Sequence, residues 1–307
     1  MSEELGRVLV TGANGHLGRR LLARLAGKRP LRAVVRSERA AEQVSSVPEA
    51  GDVDVRVLAY DDTAALTQAA TGCSHAVHLV GILKQTSSSR YEQAHEATTR
   101  ALAAAAGSQG LRRIVYMSIL GSRPDASNAC LASKGRAERI LLEATTPALV
   151  LRVPMVLGEG DFASRALAGR ARKGTVLLTR GGASLEQPIY AGDVVEALIA
   201  GVTLPDLDDV ALELAGPESL PQRELVLRSA QLYGGAPRIV PVPRFLPFAA
   251  AALLEAVSQD PPVSRAMLGV LDHDDAVDPS DAARRLGIEL TPLDETLRRC
   301  AGPEAPA

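Results

Sequence analysis

A basic surplus is missing from this chain: 34 Lys and Arg against 36 Asp and Glu give a net charge of -2. Nothing is left over to hold a phosphate backbone, which excludes nucleic acid as the expected partner. Cysteine is scarce too. Cys73, Cys130 and Cys300 are scattered and lack CxxC spacing, so neither a disulfide framework nor a zinc site is expected. Long apolar runs are also lacking. The longest, Phe245 to Val257, contains Pro247 and Glu255 and falls short of the roughly 20 residues of a spanning helix. No transmembrane segment is expected; a core or partner-facing helix is the plainer reading of this run, and a peripheral membrane-surface contact the sharper one. Residues Met1 to Arg7 are polar and acidic without an apolar signal core, so the expected compartment is cytoplasmic.

With 46% hydrophobic residues over 307 positions, the chain can bury one large α/β domain with a smaller appended lobe. Its organising stretch is Val8-Leu9-Val10-Thr11-Gly12-Ala13-Asn14-Gly15-His16-Leu17-Gly18. An apolar run suited to a parallel strand buried on both faces is followed by three glycines at a spacing of three. Gly12 is expected to turn the chain sharply, Gly15 to let a pyrophosphate approach the backbone, and Gly18 to pack the new helix on the sheet. The free N–H groups of that helix, starting near Asn14, His16 and Leu17, then face the anion. A second strand, Leu31 to Val35, completes a βαβ unit, and the string reads as a dinucleotide cradle.

The residue after the second strand is Arg36, where an acidic residue would bind the ribose hydroxyl of NAD. A guanidinium there pairs with a 2′-phosphate, with Ser37 and Arg39 in reach, so NADP(H) is favoured and NAD(H) remains an alternative. Strands over Val53–Leu58, Ala76–Gly81, Arg113–Ser118 and Ala148–Val153 alternate with helices over Asp62–Ala70, Arg90–Gly107 and Ala126–Leu142. This predicts a doubly wound parallel sheet whose strand ends line the crevice. Tyr60, Asp61, Val80 and Gly81 are therefore candidate cofactor contacts. His78 reads as a hydrogen-bonded core histidine, and Asp272-His273-Asp274-Asp275 as a solvated loop without the pattern of a metal site.

The order of motifs resembles the short-chain dehydrogenase/reductase superfamily in its extended and atypical branches. The stretches that carry the resemblance are Thr11 to Gly18, His78 to Leu83, Tyr116-Met117-Ser118, Leu151 to Pro154, Gln187 to Tyr190, Gly192-Asp193-Val194 and Leu286 to Leu293. It is most similar to the atypical group containing the nucleotide-binding accessory subunit of respiratory complex I and its bacterial relatives, with NmrA-like proteins as more distant kin. The resemblance implies a serine that polarises a carbonyl, here Ser118, and a lysine that holds the nicotinamide ribose, here Lys134. Pro154 is implied as a further cofactor contact. The tyrosine implied four residues before the lysine is Cys130 instead. A thiol is shorter and does not reach the same oxygen; Cys130 is either a thiolate lowered by Lys134 or a small buried residue beside the cofactor.

The expected layout is a Rossmann domain over 1–155, completed by about 187–202, a smaller C-terminal lobe over 156–186 and 203–300, and a disordered tail over 301–307. Within it, Asp193 is expected to cap a helix, and the region from Pro237 to Leu271 to cover the substrate side. The first functional reading is a cofactor-bound sensor or structural protein, non-catalytic or weakly catalytic, recognised by a protein partner. The alternative is an NADPH-dependent reductase or isomerase on a small apolar carbonyl substrate. A nucleotide-sugar epimerase ranks below both, since it needs the missing tyrosine.

Overall fold

A computed structural model of the chain describes residues 6–48, 51, 53–205, 207 and 210–301. Of the tail expected over 301–307, Ala301 is the last residue of a helix and the rest lies outside them. The chain groups into two compact units, one of Met1–Arg152, Val195–Leu212 and Arg285–Gly287, the other of Val153–Val194, Glu213–Arg284 and Ile288–Ala307.

The first unit carries β1 (Arg7–Thr11), α1 (His16–Leu25), β2 (Leu31–Val35), α2 (Glu38–Ser45), β3 (Asp54–Val57), α3 (Thr63–Ala70), β4 (Cys73–His78), α4 (Thr98–Gln109), β5 (Arg113–Ile119), α5 (Ala129–Leu142) and β6 (Ala148–Val153). A π-turn over Glu92–Ala97 runs directly into α4. The strands form one sheet with β11 (Val210–Glu213), in the order β11-β6-β5-β4-β1-β2-β3, and β1 pairs in parallel with both β2 and β4. The sheet is doubly wound, with its switch point between β1 and β4. Alanines on α4, Ala101, Ala105 and Ala106, pack with Leu9, Ile114, Tyr116 and Leu141 in one buried cluster; small side chains let that helix lie close to the sheet.

Among the differences from the sequence reading, three bear on the site and its sheet. The fourth strand stops at His78 rather than reaching Gly81, because the glycine turn after β1 crosses the chain at Leu79–Val80. Helix α5 begins at Ala129, three residues late, because the Asn128 side chain accepts from the amides of Cys130 and Leu131 and caps it there. A seventh strand, β11, adds to the six read from sequence; its short run Val-Ala-Leu-Glu carries little periodic signal.

The second unit contains β7 (Val156–Leu157), α6 (Phe162–Ala171), β8 (Thr175–Thr179), β9 (Leu185–Glu186), β10 (Ile189–Tyr190), the start of α7 (Ala191–Thr203), β12 (Leu220–Pro221), α8 (Gln222–Gln231), β13 (Arg238–Val242), α9 (Phe245–Val257), α10 (Arg265–Leu271), α11 (Ser280–Leu286) and α12 (Leu293–Ala301). Three two-stranded pairs, β7 with β10, β9 with β12 and β8 with β13, frame a core that includes Leu157, Leu178, Leu225 and Leu297. Asp193 lies inside the first turn of α7 rather than at its cap, and both its oxygens accept from Thr291, from the amide and the hydroxyl at 2.7 Å each. The acidic run at 272–275 is not a free solvated loop: Asp272 accepts from Ser184 at 3.1 Å, and Asp274 from the Leu185 amide at 2.8 Å. Both carboxylates strap the run to β9 and the residue before it.

Candidate nucleotide site

Gly12 adopts a φ of 74°, a left-handed conformation that strains any residue with a Cβ. A Cβ there would also stand 3.1 Å from the Leu79 carbonyl carbon, so the turn and the chain leaving β4 are held in close contact. Gly15 then precedes α1 and its amide donates to the Gly12 carbonyl at 3.1 Å. Gly18 differs from its expected role. A Cβ there would lie 2.6 Å from the Ala13 oxygen and 2.7 Å from the Gly12 oxygen; its smallness lets α1 pack on the turn itself.

The fit of this cradle to a dinucleotide rests on a contrast among the helices of the first unit that start from a turn, α4 being continuous with the π-turn before it. Ser37, Asp62 and Asn128 cap α2, α3 and α5 with their side chains, whereas α1 starts without a side-chain cap and without an acidic residue in its first turn. Its first amides are positioned for an anion. Asn14 reaches across to Gln43 on α2 at 3.1 Å, His16 and Gly15 are exposed, and Leu17 is half-buried.

Arg36 is exposed just beyond β2 and is close enough to Tyr60 to pull its hydroxyl pKa down, although burial wins and raises it. Among the described residues Arg36 pairs with no carboxylate. The Ser37 hydroxyl oxygen accepts from the Ala40 amide at 3.3 Å as the α2 cap, and its O–H is still available to donate. Tyr60 is buried in the core cluster with its hydroxyl 3.4 Å from the Val34 carbonyl, while Asp61 is exposed and accepts from Gln93 at 3.2 Å. Val80 is half-buried and Gly81 exposed; a Cβ on Gly81 would stand 3.0 Å from Lys134 Nζ. Pro154 follows β6, between it and β7.

The three residues at the expected catalytic positions do come together near the end of β5 and on α5. Each spends a donor on the chain. The Ser118 hydroxyl donates to Glu138, whose carboxylate also receives Arg152 Nη2 at 2.6 Å and Nε at 3.1 Å. Cys130 Sγ donates to the Ile82 carbonyl at 3.6 Å. Burial pushes its thiol up to about 11, against the opposing pull of Lys134 and of the Tyr91 hydroxyl, which is within hydrogen-bonding reach. Burial and the bond to Ile82 favour the small buried residue over the thiolate. Lys134 Nζ donates to the Met117 carbonyl at 3.0 Å and sits 4.5 Å above the Tyr116 ring; burial draws its pKa down to about 8. Two of its N–H groups are left over for ribose hydroxyls.

His78 is a core histidine, as read: Thr11 and Thr99 hydroxyls lie 2.6 and 3.2 Å from its two ring nitrogens, and burial lowers its pKa to about 3. Sequence reasoning missed four residues. His95, buried and stacked on Tyr91, has Nε2 3.1 Å from both the amide and the carbonyl of Ile82, and its Nδ1 meets no partner among the described residues. The π-turn aims it there, and a π-turn has no composition signature. Tyr91 donates to the Leu83 carbonyl at 2.8 Å. Glu138 was within reach of a reader, one helical turn beyond Lys134; Arg152 stands in a stretch already singled out.

A doubly wound sheet, a glycine turn at its switch point and an uncapped helix beside it define a dinucleotide-binding protein of the Rossmann class. The family described as NAD(P)H-binding matches residues 12–175, and the chain belongs to it, within the atypical short-chain dehydrogenase/reductase superfamily. A ceramide reductase of Caulobacter vibrioides is 30% identical over 257 residues, covering 82% of this chain and 78% of that protein. The mitochondrial NADH dehydrogenase (ubiquinone) 1 alpha subcomplex subunit 9 of Arabidopsis thaliana is 27% identical over 243 residues, 76% of this chain and 60% of that one. Among solved structures, MoeE5 in complex with UDP-glucuronic acid and NAD has a TM-score of 0.71 at 22% identity, with 96% and 97% of the two chains covered; this shows the fold.

Proposed function

We propose that this chain binds NADP(H) and carries out little or no hydride chemistry, its bound nucleotide fixing a conformation that a protein partner recognises. One observation carries the reading: Ser118, Cys130 and Lys134 each direct a proton into the chain, at Glu138, Ile82 and Met117. A serine that donates to a buried carboxylate has only lone pairs left to offer, and a carbonyl substrate needs a donor. The cysteine is held as a thiol and is too short for the tyrosine's task. Lys134 keeps a role without the tyrosine, since its remaining N–H groups can orient a ribose. Arg36, exposed and paired with no carboxylate among the described residues, supports the phosphorylated nucleotide over NAD(H).

A second reading, reduction of a carbonyl in an apolar molecule, is favoured by the likeness to a ceramide reductase and by Tyr91. When bound, reduced nicotinamide would supply a hydride. The Tyr91 hydroxyl, in reach of the Cys130 thiol, is then the group that delivers the proton, and to do so it must release the Leu83 carbonyl to which it donates. Calorimetric titration of nucleotide-stripped protein with NADPH and NADH, followed by NADPH oxidation over a panel of long-chain ketones, separates the two readings. Tight binding without turnover is the expected result, with turnover gained by Cys130→Tyr showing the rest of the site competent. Turnover by the unaltered chain that Tyr91→Phe removes, binding being kept, overturns the first reading in favour of the second. Absence of binding to either nucleotide defeats both.

A further inference from the structure

From sequence α9 reads as a core or partner-facing helix or, more sharply, as a membrane-surface contact, and its exposure removes the first option. Of its 13 residues only Ala251 is buried. Phe245 is 67% exposed, Leu246 47%, Leu253 67% and Val257 73%, and the exposed alanines Ala249, Ala250 and Ala256 fall between them. At 3.6 residues per turn these positions form one continuous face. It offers no hydrogen-bonding group. The single ionisable residue of the helix, Glu255, is tied to Arg265, whose amide and Nε both lie 2.7 Å from its oxygens. At the other end Arg244 pairs with Asp272 at 2.7 Å. The charges around the face are thereby neutralised within the unit.

We infer that this face of α9 rests on a lipid bilayer, as a shallow in-plane contact. A helix apolar but for one paired carboxylate belongs in a core or in hydrocarbon, and the outer face of α9 is covered by no core. Among the described residues no helix is long and apolar enough to cross a membrane; α9 spans about 20 Å, against a hydrocarbon core of about 30 Å. A second copy of the chain is the rival occupant, and area argues against it. The four large side chains expose roughly 400 Å², about half of the ~800 Å² that each partner of a standard interface buries. A patch of that size without polar groups suits insertion at the headgroup–acyl boundary, where no complementary donor or acceptor is needed. Because the flanking arginines are already paired, the attraction is apolar rather than electrostatic.

This inference stands apart from the nucleotide reading and is tested with the full chain and phosphatidylcholine vesicles in a flotation assay. Expected is co-flotation with uncharged lipid that persists in high salt, and a drop of at least tenfold in the bound fraction for Leu253→Asp and, independently, for Phe245→Ser. Far-UV circular dichroism and NADPH titration of both variants check that they fold. A chain that stays at the bottom of the gradient, folded variants that float like the parent, or binding that appears only with anionic lipid and vanishes in salt each overturn it. So does a dimer in analytical ultracentrifugation that Leu253→Asp converts to monomer.

Discussion

His78 and His95 are both kept neutral, with pKa values lowered to about 3, chiefly by burial and then by the Lys134 charge. Between about pH 6.5 and 3 the unfolded chain binds protons that the folded chain refuses. Stability is therefore fully present above the unfolded value and falls as pH drops through this window, by on the order of 5 kcal/mol for each ring once titration is complete. Urea unfolding at pH 7 and pH 4 should show the loss, and His78→Asn, which keeps partners for Thr11 and Thr99 but cannot titrate, should flatten it. An unchanged slope would remove His78 from the account. Only half of this was legible in advance. An apolar strand around His78 announced a core histidine, whereas His95 is placed by a π-turn that shifts register by one residue and leaves no mark on hydrophobic periodicity.

At the scale of the element, the turn between β1 and α1 is where small size is required by backbone atoms that cannot swing aside. Gly18→Ala puts its Cβ 2.6 Å from the Ala13 oxygen, so α1 must shift away from the turn. The expected cost is about 2 kcal/mol or more, accompanied by weaker NADPH binding, since the same shift moves the first amides of the helix. Gly169→Ala in α6, where nothing lies within 4 Å, is the control and should be neutral or gain up to about 1 kcal/mol. Equal effects at both sites in thermal melts would show that helix propensity, not the close approach, decides. The glycine string was readable from sequence, but which atoms Gly18 faces was not. Likewise the Asn128 cap decided where α5 begins, because an Asn that accepts two amides ends the choice between helical and extended backbone at that residue.

For the whole molecule, a nucleotide that binds only the folded chain stabilises it by mass action, by about 2.7 kcal/mol at a hundredfold excess over Kd, and so raises its melting temperature. NADPH should do so more strongly than NADH. Arg36→Ala should cut the NADPH effect to the NADH level, a loss of at least about tenfold in affinity for a charge-assisted contact, and equal losses for both nucleotides would defeat the preference. The sequence by itself determined the doubly wound sheet, the phosphate cradle and the missing tyrosine, because each is written in neighbouring residues: apolar runs, glycine spacing, and the interval of four between Cys130 and Lys134. Tertiary structure alone decided what those groups do with their protons. Ser118 meets Glu138 across 20 residues, Glu138 meets Arg152 across 14, and Cys130 meets Ile82 across 48. It alone exposed the outer face of α9 as well, since the burial of an apolar run depends on what else in the chain comes to cover it.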